Sequence, residues 1–564
     1  MAKKSTVWLA ACLLLANACG ENATESENPA AAAPTTPRSG DSHSEPDASN
    51  TGNTGTGTVR PDTGTGTDSG IGTGTDSRTG RTAVSGAVSG TGTVRIATRR
   101  LPQAAADPAA HIGQPAIYVW PAFYDGLTFI TESGNVVPWL ATSWENTSDT
   151  TWVFKLRDEV AFSNGEPFDA WAVQAAADNI LFGYGAHKLV RSSLLPDVVA
   201  VNVVDELTVE FVTDRPDPLL PKRVAQFYPL PPEYFAAVGP EAFAQRPVGT
   251  GPFVVESWDV NEVLMRANPN SWRPPMVQAL DFVEMPDSTT RRQAILSGQV
   301  HIAQHLVPDD IPELEAAGIE ITVAAEPRVR VISFVARDGS PLQSRKVRLA
   351  LNHAVNKDAI VDALVGGVAP VATHIATRST AGFDPSRKPH AYDPPLARQL
   401  LQEAGHAEGL DFLMEVVATT HIDRLVFQAI AADLADVGVN VRLRVIEFEQ
   451  WRRQLFTGQW KGELFSWSVA LDPVLDITRA FPYLSCEHPK PAFCDRQLTD
   501  LLGQLALEFD PDTREAILDQ VFDRMHANPP AILIYELVQI DGLRGINGFA
   551  NPNLFVVWDQ LSLN

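Results

Sequence analysis

The sequence predicts an α/β fold for residues 93–564, and three observations lead to that prediction. Apolar residues make up 44% of the 564-residue chain, which is enough to build a large core. Runs with helical spacing alternate with short runs rich in β-branched residues, as is typical of α/β proteins. Residues 20–92 contain almost no aromatic or large aliphatic side chains and cannot form such a core. We therefore expect folding to begin near Thr93.

Four runs predict amphipathic helices with recognisable ends. Asp169 and Ser344 stand at N-cap positions before two of these runs. Asp510-Pro511 opens a third run, because proline is accepted in the first turn of a helix. Residues 424–437 form the fourth, and Gly438 provides a stop signal. The strands predicted around these helices are residues 94–97, 198–204, 207–212, 439–446 and 531–537.

The N-terminus predicts export and a lipid anchor. Two lysines precede an apolar run at residues 7–16, which is shorter than the roughly 20 residues of a membrane-spanning helix. The small residues before Cys19 resemble a bacterial lipobox, in which the cysteine is lipidated. The sequence therefore predicts a signal peptide at 1–18 and a lipoprotein held at a membrane through Cys19, periplasmic or on the cell surface. Ordinary cleavage after Ala18 is the alternative.

Residues 19–92 predict a flexible tether behind that anchor. They are rich in Thr, Gly, Ser, Pro and Asp, and the sequence GTGTDS occurs at 64–69 and again at 72–77. A Gly-rich coil of this length has an end-to-end distance on the order of 45 Å. We expect the tether to hold the folded region away from a membrane surface.

The charge of the chain excludes one class of partner. The formal net charge is −24, and no run of Lys and Arg residues, including Lys3-Lys4, is longer than two. Because nucleic acid binding requires a concentrated basic surface, we predict no nucleic acid partner.

The cysteines predict one disulfide. Removal of Cys12 with the signal peptide and lipidation of Cys19 leave Cys486 and Cys494. In an exported chain, two such cysteines are expected to pair. A metal site is the competing interpretation, but His488 between them has no His or Cys partners at zinc-like spacing. We therefore predict no metal and no cofactor.

Several segments in one order carry a family resemblance. They are 124–128 (YDGLT), 137–145 (VPWLATSWE), 152–158 (WVFKLRD), 162–170 (FSNGEPFDA), 248–253 (VGTGPF) and 347–357 (VRLALNHAVNK). In this order they resemble solute-binding family 5, the family of extracytoplasmic receptors that bind oligopeptides, dipeptides and nickel. The resemblance covers about residues 93–564.

This resemblance implies a two-lobed periplasmic-binding-protein fold of the large type II, peptide-binding class. Lobe I would comprise 93–325 and 530–564, with an extra subdomain at about 115–245, and lobe II would comprise 326–529. A peptide-like or other small solute would bind in the cleft, which closes around it. Such receptors are not enzymes, and the resemblance implies a monomer that delivers its ligand to the transmembrane subunits of an ABC permease.

One stretch predicts the wall of the cleft. Residues 463–473 resemble the segment that lines the cleft in peptide binders, and Trp467, Ser468 and Asp472 are its candidate ligand contacts. The position of the carboxylate that pairs with a peptide amine is Ala470 here, so Asp472 or Asp476 would have to replace it. A turn-shaping role for Asp472 and simple burial of Trp467 are the alternatives.

Further candidate contacts are polar or aromatic residues spread over both expected lobes. They are His111, Gln114, Tyr124, Tyr184, Arg337, His374, Arg378 and His421. Arginine suits a ligand carboxylate because its guanidinium group binds it bidentately. The competing interpretations are hydrogen-bonded loop histidines, core packing of Tyr124 and surface positions of the arginines.

Two other functions remain as alternatives at this point. A hydrolase is one, although the sequence lacks a Gly-x-Ser-x-Gly elbow, a His-Glu-x-x-His helix and a Cys/His nucleophile pair. A receptor fold reused as a surface adhesion or signalling protein is the other, because the tether is long. The ligand stays open between a peptide, an opine, a sugar and a metal chelate.

Overall fold

A computed structural model of the chain describes residues 92–102, 106–109, 114–183, 194–418 and 421–564. The predicted signal peptide, Cys19 and nearly all of the predicted tether lie outside these residues, as do His111 and Tyr184. His421 begins a helix, but its side chain is outside the described part. Among the described residues, no helix has both the length and the apolar character needed to cross a bilayer.

The strands of the described residues are numbered in chain order. The first nine are β1 Thr93–Thr98, β2 Thr128–Ile130, β3 Val136–Pro138, β4 Ala141–Ser148, β5 Thr151–Leu156, β6 Val198–Asp205, β7 Thr208–Thr213, β8 Phe253–Trp258 and β9 Glu262–Ala267. The others are β10 Ala279–Glu284, β11 Ile302–Ala303, β12 Glu320–Phe334, β13 Leu410–Val416, β14 Val439–Val445, β15 Leu464–Ala470, β16 Ala531–Leu543, β17 Ile546–Asn547 and β18 Ser562–Leu563.

The α-helices alternate with these strands. The first seven are α1 Ala116–Val119, α2 Ala170–Phe182, α3 Leu220–Arg223, α4 Pro232–Gln245, α5 Ser288–Leu296, α6 Ile311–Ala316 and α7 Arg345–Ala354. The others are α8 Lys357–Leu364, α9 Pro394–Glu403, α10 His421–Asp436, α11 Phe448–Thr457, α12 Phe481–Leu484, α13 Arg496–Leu505 and α14 Pro511–Ala527.

The helix ends follow the local signals in the sequence. Asp169 caps α2 by accepting a hydrogen bond from Ala172 N at 3.0 Å. Asp510 caps α14 in the same way, with Thr513 N at 2.9 Å. Gly438, with a φ of 89°, follows α10 in a left-handed conformation that favours glycine. The four predicted helices and the five predicted strands are therefore confirmed, with small shifts at their ends except for β16, which continues six residues beyond the predicted end at 537.

Ten strands form one sheet that runs through the molecule. Their order is β14-β13-β15-β12-β16-β11-β1-β10-β9-β8. The two long central strands, β12 and β16, pair antiparallel from Glu320↔Leu543 to Ser333↔Ala531. At one end, β12 also pairs with β15, and at the other end β16 pairs with β11. The central pair is therefore shared by both halves of the sheet.

The apolar cores divide into two groups along this central pair. Two cores lie on one side and contain residues of β1, β10, β11 and the C-terminal segment after Gly542. Two others contain the β13, β15, α7, α10 and α14 side chains. The two-lobed fold predicted from the sequence is thereby confirmed, with β12 and β16 joining the lobes.

The passage of β16 between the lobes differs from the predicted boundary. Residues 531–535 pack into the cores of lobe II, whereas Ile540 and Leu543 pack into those of lobe I. We therefore place the return to lobe I near Val538, later than residue 530. A strand that serves both lobes has no break in its sequence, so no local signal marks this position.

A second sheet lies within the predicted extra subdomain of lobe I. It has four antiparallel strands in the order β4-β5-β7-β6, and α2 packs against β6. Aromatic side chains such as Phe154 and Phe211 join its inner face to the large core of lobe I. This sheet therefore shares the core of lobe I instead of forming its own.

Cys486 and Cys494 form the disulfide that the sequence predicts. Their Cα atoms are 4.6 Å apart, and the bond links the residues that follow α12 to those that precede α13. Among the described residues, no group of His, Cys, Asp and Glu side chains is arranged to hold a metal ion.

Candidate functional site

A cavity of about 760 Å³ lies between the two lobes. Lobe I contributes residues that follow β1, the start of α1 and residues 305–308. Lobe II contributes α11, β15 and the turn at Ile477–Ala480. The central strands β12 and β16 form the wall between these parts. A volume of this size fits a ligand of small-molecule or short-peptide dimensions.

Lobe II lines the cavity with an aromatic wall. It consists of Phe448, Trp451, Phe456, Trp467 and Tyr483. The rings of Phe448 and Trp451 stack with their centroids 5.7 Å apart, and Trp467 meets Tyr483 edge to face at 5.4 Å. Trp451 is fixed by a hydrogen bond from Nε1 to Ser466 O at 2.9 Å. These rings offer flat apolar surfaces to a bound molecule.

The rest of the cavity is rich in arginine. Six arginines line it, namely Arg99, Arg100, Arg328, Arg330, Arg452 and Arg479. The carboxylates in the lining are Glu326, Asp423 and Asp472. Six positive and three negative groups leave a formal charge of +3 in a chain whose net charge is −24. The cavity is therefore electropositive relative to the protein as a whole.

Two of the carboxylates are neutralised by arginines of β12. Arg328 Nε lies 3.2 Å from Asp472 Oδ1, and Arg330 Nη2 lies 2.7 Å from Asp423 Oδ1. Burial alone raises the pKa of Asp472, but the charge of Arg328 and its hydrogen bonds outweigh burial and hold that pKa below its usual value. The Asp472 carboxylate is therefore ionised and is already paired with Arg328 of the protein itself.

Burial shifts the pKa values of the third carboxylate, Glu326, and of His305 in the same cavity lining. Burial raises the pKa of Glu326, and Arg328, at 3.7 Å from its Oε2, offsets only part of this effect. Burial, together with the charges of Arg99, Arg291 and Arg328, lowers the pKa of His305 to about 3. His305 is therefore neutral at physiological pH.

Several buried polar atoms in the cavity wall have no hydrogen-bond partner within the described residues. They are Tyr118 Oη, His305 Nδ1, Arg330 Nε, Arg479 Nε and Gln539 Oε1. Buried polar atoms normally pair with protein, water or ligand. These five atoms come from both lobes and from the central strands, so they provide hydrogen-bonding positions on more than one side of the cavity.

Residues 135–482 match the sequence profile of the bacterial extracellular solute-binding proteins, family 5 (middle region). This chain belongs to that family. The recognition from sequence motifs is thereby confirmed, and the family 5 chain is a ligand-capturing receptor of the kind that serves ABC importers. The family consists of solute-binding proteins.

Relatives of this family 5 protein are spread over several bacteria. The nickel-binding periplasmic protein of Escherichia coli is 27% identical over 443 residues, which cover 72% of this chain and 81% of the relative. The dipeptide-binding protein of the same species is 26% identical, over 71% of this chain and 80% of its own. The glutathione-binding protein GsiB of Shigella boydii is also 26% identical, over 76% and 86%.

Solved structures show the same fold. HbpA2 from Haemophilus parasuis superimposes with a TM-score of 0.75 at 23% identity, covering 84% of this chain and 100% of its own. The ABC transporter substrate-binding protein CtaP from Listeria monocytogenes has a TM-score of 0.75 at 20% identity, covering 84% and 99%. The family 5 protein therefore shares their architecture along nearly their whole length.

Four of the residues predicted to contact a ligand line the cavity of this family 5 protein. They are Gln114, Trp467, Ser468 and Asp472. Trp467 and Ser468 lie on β15, where they pair with Val331 and Arg330 of β12. Asp476, considered as a substitute for the missing carboxylate, instead caps the turn at 477–480 and pairs with Arg514 at 2.7 Å. Its carboxylate is buried and does not line the cavity.

Four other predictions are corrected, because the structure places these residues away from the cavity lining. Tyr124 is 1% exposed in the core of lobe I, and its hydroxyl donates to Ala106 O at 2.7 Å. The buried ring of His374 lies between Phe383 and Phe522. Arg337 donates to the backbone carbonyl of Trp460, and Arg378 is exposed, next to Glu536.

The six arginines of the cavity and most of the aromatic wall are not among the residues predicted from the sequence. One signal was available for Arg328 and Arg330, because they alternate with the apolar Val329 and Val331 on a single strand. Two charges on one face of a buried strand indicate a polar cavity. Phe448 and Arg479 carry no such signal, since their approach to the cavity depends on how their elements pack.

Proposed function

We propose that this protein captures a small solute in the interlobe cavity and delivers it to an ABC permease. The observation that carries the proposal is a single cavity with walls from both lobes and from the two strands that join them. A solute bound there contacts both lobes at once and so favours the closed arrangement. The closed form is then what a permease would recognise.

Contacts across the cleft support a closed state in this structure. Leu475 of lobe II packs against Ile130 and Ala225 of lobe I. The rings of Trp152 and Phe509, also from the two lobes, lie 6.0 Å apart. A solute that binds both lobes adds its own contacts to these and so stabilises the closed form.

The relatives are named as binding proteins for nickel, a dipeptide and glutathione. We propose no catalytic step for the cavity, because binding and release account for transport. We also propose that the receptor acts as a monomer, exported and tethered through a lipid on Cys19. A Cys19→Ala variant should lose its fatty acyl group while the folded region still binds, and continued lipidation would place the anchor elsewhere.

The proposal is tested on protein purified from the bacterium that produces it. A solute released by mild denaturation is identified by mass spectrometry, and returning it should raise the melting temperature and lower the radius of gyration in X-ray scattering. An unchanged melting temperature and scattering profile would contradict capture. Conversion of the solute into a product would indicate an enzyme instead.

A further inference from the structure

We propose that the solute is a small organic anion with at least two acidic groups and an apolar, planar part. This inference rests on the proposed function, because it assumes that the interlobe cavity is where the solute binds. It starts from the formal charge of +3 on the cavity lining, which is opposite in sign to that of the whole chain. An electropositive cavity in an acidic protein concentrates anions.

The arginines are not all needed by the protein. Arg328 and Arg330 are matched with Asp472 and Asp423. Arg452 pairs with Glu449 one turn away on α11, with Nη2 and Oε2 2.8 Å apart. These three arginines therefore have carboxylate partners from the protein itself.

Arg99, Arg100 and Arg479 form the group that remains. Within the described residues, none of the three has a carboxylate at ion-pair distance. Arg479 Nε is buried and without a hydrogen-bond partner there. An arginine that lines a cavity without a carboxylate partner from the protein is suited to bind a carboxylate or another acidic group of a ligand.

These unmatched arginines come from opposite lobes. Arg99 and Arg100 directly follow β1 of lobe I, whereas Arg479 lies in the capped turn at 477–480 of lobe II. A solute with two acidic groups can bind one lobe with each group, and its binding energy then favours closure. A solute with a single acidic group cannot join the two lobes in this way.

The cavity is a poor site for a solute with a free ammonium group. Asp423 and Asp472 are already matched, and burial raises the pKa of Glu326, which disfavours its charged form. An ammonium group taken out of water would therefore lack a free carboxylate partner. The remaining surface is the aromatic wall, which suits an apolar and planar group.

Two probes of equal shape and different charge test the inference. Benzene-1,3,5-tricarboxylate carries three acidic groups on a planar ring, and benzene-1,3,5-tricarboxamide is its neutral counterpart. Calorimetric titration of the full-length protein should show that the tricarboxylate binds roughly tenfold or more tightly than the tricarboxamide, since bonds to charged groups are the stronger ones. Equal affinity, or preference for the neutral probe, would overturn the inference.

Arginine variants identify the groups responsible. Arg479→Met and Arg99→Met should each weaken tricarboxylate binding roughly tenfold and leave tricarboxamide binding unchanged. Arg442→Met is the matched control, because Arg442 is an exposed arginine of lobe II outside the cavity lining. If the control weakens binding as much as the cavity variants do, the electrostatic effect is not local and the inference is wrong.

The solute that co-purifies gives an independent measurement. Methyl esterification adds the mass of one methylene for each acidic group, so mass spectrometry counts these groups directly. Two or more support the inference. A neutral or cationic solute that raises the melting temperature would overturn the inference and leave the proposed function intact. Failure of both probes and of every released compound to change the melting temperature or the scattering profile would overturn the two together.

Discussion

Phe448 exposes 54% of its surface although it stacks on the buried Trp451. Because it is already in contact with water, its removal costs the folded protein little. A solute that packs on the aromatic wall would cover it. Phe448→Ser should therefore weaken binding of the co-purified solute roughly tenfold, from about 1–2 kcal/mol of lost apolar contact, with almost no change in melting temperature.

Phe182→Ser is the control for this variant. Phe182 is 72% exposed at the end of α2 in lobe I and does not line the cavity. Its replacement should change neither affinity nor melting temperature. If both variants bind the solute equally well, the aromatic wall is not part of the binding site.

The raised pKa of Asp541 leads to a prediction of how the stability of the fold depends on pH. Burial raises the pKa of its carboxyl to about 7, despite hydrogen bonds from Gln539 Nε2 and His305 N. The folded state thus binds this proton more tightly than the unfolded state does, so stability is lost as the pH rises from about 4 to about 7.

Asp541→Asn removes this titration. As the pH rises over that range, the unfolding free energy of the wild type should fall relative to that of the variant, by at most about 1.4 kcal/mol per pH unit. Urea unfolding at a series of pH values measures it. A difference that is constant with pH would mean that Asp541 is charged in the folded state.

Single residues of the site were partly predictable. Trp467, Ser468 and Asp472 line the cavity, and they share a segment whose position in the cleft the family resemblance implies. Tyr124 and His374 were not separable from cavity residues, since residue type does not tell on which side of an element a side chain points. In the folded chain both of them fill cores instead.

The disulfide fixes the connection between α12 and α13. Its cysteines are eight residues apart, so the bond closes a short loop. The chain-entropy relation gives about 2–3 kcal/mol for such a loop. A Cys486→Ser, Cys494→Ser double variant should lose that much unfolding free energy in denaturant titrations. Wild type measured with a thiol reductant is the control and should show the same loss. A loss below about 0.5 kcal/mol would show that the bond is dispensable for stability.

Helices and strands were predictable because their signals are local. Caps such as Asp169 and Asp510 act within three or four residues, and Gly438 marks an end by its own backbone conformation. The passage of β16 between the lobes was not predictable. It depends on which core each half of one continuous strand meets, and that is decided by the packing of other elements around it.

The Leu475 side chain makes a contact that distinguishes the closed arrangement of the two lobes from an open one. It is 2% exposed and packs across the cleft on Ile130 and Ala225, a contact that exists only when the lobes meet. Leu475→Ser should favour the open form, because the closed form alone loses the free energy of burying this leucine side chain, about 2 kcal/mol. The radius of gyration with solute should rise, and affinity should fall at least roughly tenfold.

Leu507→Ser controls for the loss of a leucine from lobe II. Leu507 is 49% exposed, so its replacement should alter neither scattering nor affinity. If Leu475→Ser lowers the melting temperature but leaves affinity and scattering unchanged, the contact stabilises lobe II without acting on closure.

The shared central strands have a further consequence for the way the chain can be divided. Because β12 and β16 each build both lobes, a fragment that ends between them carries one strand without its antiparallel neighbour. The open backbone edge of such a fragment would pair with other copies and aggregate. Neither lobe is therefore an independent building block, and gene truncations or domain exchanges must keep both strands together.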